Sequence, residues 1–142
     1  MRLLAILTIA TLIITGCVTP RPTPQTAARQ AFKAFGQNVT LAWIPGARTT
    51  LAGLIARAIL PADAPDVVSI KNVVSPASKQ PVKLAVAGDD SAFTAAVIEK
   101  ALGSVPDDLP HLQLLFIGNR AHEADVRSAV EAKRGKFLFE EQ

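Results

Sequence analysis

Three short stretches gather the polar side chains that can do chemistry in this chain. Arg48 follows Pro45-Gly46, Asp89, Asp90 and Ser91 follow Gly88, and Asn119, Arg120 and His122 follow Gly118. Adjacent carboxylates can ligate a metal or divide acid and base work, but a metal site needs further ligands, and no spacing here supplies them. An Asp before a helix more simply caps it and favours the helix dipole. Ser91 does not sit in a G-x-S-x-G elbow, which argues against a nucleophile. His122 has Glu123 beside it, but neighbours in a helix do not face one another. His111, in a loop after Pro110, is less promising still. The run Pro45-Gly46-Ala47-Arg48-Thr49-Thr50 lacks the glycine spacing and Lys of a P-loop, so it reads as a turn and N-cap. No catalytic residue and no metal site is assigned. The seven residues Arg48, Asp89, Asp90, Ser91, Asn119, Arg120 and His122 are read as a rim for a ligand or a partner.

The elements around these residues set where the rim must lie. Residues 26–35 read as a short helix with Ala28, Ala31, Phe32 and Phe35 on one side, and residues 39–44 (VTLAWI) as a strand. Residues 49–60 have the best helical period in the chain, with Leu51, Leu54, Ile55, Ala58 and Ile59 in phase, and Pro61 stops them. Residues 67–74 read as a strand, Val68 and Ile70 on one face and Ser69 and Lys71 on the other. Residues 82–87 (VKLAVA) and 112–117 (LQLLFI) read as buried strands. Helices are expected over 91–105 and 121–134. The latter carries a Glu123–Arg127–Glu131 ladder and ends at Gly135 as a C-cap. Residues 137–140 (FLFE) close the chain as a strand. Phe137 and Phe139 share a face; if that strand is an edge, its free backbone can pair with a partner, whereas the charged tail Glu140-Glu141 would instead discourage pairing. Trp43, the single Trp, reads as core.

Alternation of this kind predicts one small α/β domain over residues 26–142, its sheet mostly parallel and flanked by helices. No helix is read between 67–74 and 82–87, so those two are expected to form an antiparallel hairpin and make the sheet mixed. The three polar stretches then follow strands, and ligands of open α/β sheets bind at strand carboxyl ends.

The amino terminus carries a different chemistry. Met1-Arg2 is followed by an apolar run from Leu3 to Ile14, about 12 residues where a spanning helix needs roughly 20. Then comes Ile14-Thr15-Gly16-Cys17, with the chain's one Cys. This segment, residues 1–17, resembles the lipobox signal peptide of bacterial lipoproteins. The resemblance implies export, lipidation (palmitate among the acyl chains) of the Cys17 thiol, cleavage after Gly16 and acylation of the new amine. It also implies that Val18, in place of an Asp, permits transport from the inner to the outer membrane. Residues 17–25 read as the lipidated Cys and a Pro-rich tether, with Pro20, Pro22 and Pro24 favouring extended geometry. Eight residues of that kind reach about 25 Å.

Composition narrows the function classes. The net charge is +3 over 142 residues, and Arg2, one of the positive charges, belongs to the signal segment. Lys and Arg are scattered, which argues against a nucleic-acid partner. The expected function is therefore a non-enzymatic docking or accessory factor for a cell-envelope complex in secretion, cell-wall synthesis or envelope assembly. It would sit on the periplasmic face of the outer membrane, with a periplasmic or outer-membrane protein partner and no cofactor beyond the lipid on Cys17. The competing expectation is a small ligand-binding or hydrolytic domain that uses the rim.

Overall fold

The computed structural model describes residues 22–46 and 59–142. The signal segment, Cys17, most of the tether, Arg48 and nearly all of the helix expected over 49–60 lie outside the described residues. The described chain runs α1 (Pro24–Phe35), β1 (Thr40–Ile44), α2 (Pro65–Val74), β2 (Val82–Gly88), α3 (Ser91–Gly103), β3 (Leu112–Gly118), α4 (Glu123–Ala132) and β4 (Lys136–Glu141). Short 3₁₀ turns occupy Ser75–Ser78 and Arg120–His122. The strands form a 4-stranded parallel sheet in the order β1-β2-β3-β4. The protein is thus a small α/β domain, with no antiparallel pair in this sheet.

The segment 67–74 is a helix, not a strand, and the expected hairpin does not form. Pro65 occupies the first turn of α2, where a missing N–H costs nothing, and the Val68 N–H donates to the Ala64 carbonyl (2.9 Å). Val67, Ile70 and Val74 are fully buried, at helical spacing, whereas Val68 is exposed. The strand reading took its alternation from Val68 and Ile70, which the helix places on different faces. A parallel β1–β2 pair also requires a crossover, and α2 lies in that connection.

The strand order explains the layers. Right-handed crossovers that always advance in the same direction bring successive helices to one face of a sheet. Accordingly α2, α3 and α4 share one core with Ile44, Leu84, Val86, Leu112, Leu114 and Phe116. The opposite face carries Ala85, Ala87, Leu115 and Ile117, packed by Ala27 and Ala31 of α1. That helix lies across β1, β2 and β3. Its buried stripe is Ala27–Ala31, while Phe32, expected inside, is 58% exposed. Small side chains on both sides let α1 sit close to the sheet, and its position then turns Phe32 outward. Trp43 and Phe35 are partly buried against this second core.

Helix boundaries follow local chemistry. Thr23 and Thr26 form a capping box that starts α1 at Pro24, inside the segment read as tether. Asp90 caps α3. After α4 the left-handed residue is Arg134 (φ 60), not Gly135, and the Gly135 N–H donates to the Val130 carbonyl at 3.0 Å. No helix among the described residues is long and apolar enough to cross a membrane.

Candidate functional site

Parallel strands bring all their carboxyl ends to one side of the domain. There the structure places Asp89, Asp90 and Ser91 after β2, and Asn119, Arg120 and His122 after β3. Side chains of this rim tie each neighbouring pair of strand ends together. Between β1 and β2, Asp89 Oδ2 accepts from the Gly46 N–H (3.3 Å), and the Asp89 N–H donates to the Ile44 carbonyl (3.2 Å). Between β2 and β3, Ser91 Oγ accepts from the Asn119 N–H at 2.6 Å. Between β3 and β4, the Arg120 guanidinium donates to Glu141 Oε2 through Nη2 (2.7 Å) and Nε (3.3 Å).

The remaining rim groups serve helix starts. Asp90 Oδ1 accepts from the Phe93 N–H (3.0 Å), and its carbonyl accepts from the buried Thr94 hydroxyl (2.8 Å). Asn119 Oδ1 accepts from the Ala121 N–H (2.8 Å) at the 3₁₀ turn. His122 is half-buried at the start of α4 and makes no side-chain cap. Gly88 permits this crowding. A Cβ there would collide with the Thr94 hydroxyl and the Ile44 carbonyl.

The electrostatics centre on Arg120. Its hydrogen bond to Glu141, together with the charge of that carboxylate, raises the guanidinium pKa above its usual value. The same hydrogen bond holds the Glu141 carboxyl below its usual 4.5. Both groups are exposed, so salt screens the pair. Arg120 also lies over the Phe139 ring, 5.6 Å from its centroid, and 4.0 Å from Glu123. Next along α4, Arg127 lies over Phe137 (4.8 Å) and pairs with Glu123 (2.6 Å) and Glu131 (3.9 Å), so the expected ladder forms.

The rim therefore brings together six of the seven sequence-predicted residues, and Arg48 lies outside the described residues. Sequence reading missed Glu141 and the Gly46 N–H as members. Glu141 was legible only as tail charge, because its partner lies across a strand pair whose register the sequence does not display. In chemical terms the arrangement is a belt of caps and cross-strand ties. Doubly wound sheets open a ligand crevice where strand order reverses, and among the described residues the order β1-β2-β3-β4 contains no reversal. Among the described residues no three His, Cys, Asp or Glu side chains cluster as metal ligands. No protein family, curated protein or solved structure matches this chain.

Proposed function

We propose that this chain is a lipoprotein of the bacterial outer membrane whose small α/β domain works in the periplasm as a non-enzymatic docking or accessory factor for a cell-envelope complex. The observation that carries this reading is the sequence Ile14-Thr15-Gly16-Cys17 behind a short apolar run. Two or three acyl chains on Cys17, at about 0.8 kcal/mol per buried CH₂, would make attachment effectively permanent. The rim supports the docking half of the proposal. The carboxylates of Asp89 and Asp90 and the Ser91 hydroxyl are engaged by backbone N–H groups.

The anchor restricts where the partner lies. Because Thr23 already caps α1, only five residues separate Cys17 from the folded domain, and the six steps from Cys17 to Thr23 reach about 20 Å. The partner surface must then stand close to the membrane.

The test is fractionation of a two-membrane bacterium expressing the full chain, with intact-mass analysis of the Cys17 peptide and crosslinking in whole cells. The expected result is a lipidated Cys17 in the outer-membrane fraction and one dominant envelope protein crosslinked to the domain. Cys17→Ala should lose both. An unlipidated Cys17, or a partner captured equally by Cys17→Ala, would overturn the reading.

A further inference from the structure

We infer that the outer edge of β4 pairs with the β4 edge of a second copy of this chain, antiparallel, about a twofold axis through Leu138. Among the described residues β4 ends the sheet, with β3 on one side and no strand on the other. Its backbone direction is fixed by one bond. The Gln142 N–H donates to the Gly118 carbonyl (3.1 Å), so even-numbered residues turn their polar backbone toward β3. Phe137, Phe139 and Glu141 consequently turn theirs off the edge, where an incoming strand can meet them.

The side chains select which strand comes in. Phe137 and Phe139 pack into the helical core, and Leu138 packs on the face that α1 covers across β1, β2 and β3. Lys136 and Glu140 share Leu138's face by the alternation of the strand. A twofold axis perpendicular to the sheet at Leu138 keeps the faces matched. It sets Leu138 opposite Leu138, Lys136 opposite Glu140 on both sides, and Phe137 opposite Phe139. The Phe pairs then exchange main-chain hydrogen bonds. The Leu138 and Lys136–Glu140 pairs fall at non-hydrogen-bonded sites, where side chains approach most closely. A parallel mate would instead set Lys136 beside Lys136 and Glu140 beside Glu140. The edge charges thus reject that mate and complement the antiparallel one.

The helical layer beside the edge fits the same axis. A shallow groove of about 290 Å³ runs along α4, lined by Arg120, Glu123, Ala124, Arg127, Ser128 and Glu131. It adjoins β4, since Arg120 and Arg127 reach over Phe139 and Phe137. The small Ala124 and Ser128 leave room there, and the flanking charges of both signs can meet their opposites on a twofold mate.

The full chain, solubilised in a mild detergent, is tested by light scattering and by oxidative crosslinking. The expected mass is that of two chains. Leu138→Cys should form a covalent dimer, since facing Cα atoms at such a site are about 4.5 Å apart, within disulfide range. Lys136→Cys should not, because its copies stand about 14 Å apart along the strands. The unsubstituted chain controls for Cys17. Lys136→Glu should weaken association about tenfold through two like-charge pairs, and Lys136→Glu with Glu140→Lys should restore it. A one-chain mass at every concentration, crosslinking through position 136 instead of 138, or indifference to charge reversal would each overturn the pairing. A one-chain mass in which the Leu138→Cys variant captures a different envelope protein overturns it too, and leaves the docking proposal standing.

Discussion

Asp90 illustrates how one side chain is read two ways until its partner is known. Beside Asp89 it looks like half of a metal or acid–base pair, yet its carboxylate accepts the Phe93 N–H and starts α3. Asn caps a helix as well as Asp does, and Ala does not. Asp90→Asn should therefore keep stability nearly unchanged, and Asp90→Ala should lose about 1 kcal/mol in urea unfolding. A large loss with Asn would mean that the charge itself matters. Arg120 and Glu141 make a second residue-scale prediction. Glu141 titrates below its usual value because Arg120 donates to it. Its contribution to folding is therefore complete above the ordinary carboxylate range and disappears as pH falls through the depressed value. Thermal unfolding between about pH 2 and 6 should show Glu141→Gln differing from the parent at the upper end and converging with it at the lower. The pair is exposed, so the difference should be small and should shrink further in high salt.

At the scale of elements, α2 separates two signals that share one stretch of sequence. Val67, Val68, Ile70, Val73 and Val74 are β-branched and suit a strand. Pro65 at the first turn and burial of Val67, Ile70 and Val74 belong to a helix, and tertiary packing decides for the helix. The two alternatives predict different mutant behaviour. In a strand Val68 and Ile70 face the same way and truncate alike. In α2, Ile70→Ala should cost about 2–5 kcal/mol, and Val68→Ala should stay within about 0.5 kcal/mol. Denaturant melts of the two variants measure this directly. Elements with one consistent signal were legible throughout. The apolar runs of β2 and β3 read as buried strands, and the Asp90-capped α3 and the Glu123–Arg127–Glu131 face of α4 appear within a few residues of their expected ends.

For the whole molecule, the proposed anchor and the observed domain combine into one geometric constraint. A partner held by a short tether is met at high effective concentration, which falls once the linker outgrows the span. Inserting about fifteen Gly/Ser residues after Val18 should leave membrane attachment intact and lower crosslinking to the envelope partner. Unchanged crosslinking would show that reach does not limit the encounter.

The α/β class and the polar strand-end residues follow from the sequence by itself, because hydrophobic period, prolines and capping residues are properties of neighbours along the chain. The lipobox resemblance likewise needs only contiguous residues. The tertiary structure decided that the sheet is parallel and wound in one direction, that 67–74 is a helix, and that α1 covers the second face. It also decided that Arg120 meets Glu141 and that Ser91 meets Asn119. Each of these depends on strand order and register, which are set by contacts between residues far apart in sequence and leave no local periodicity to read.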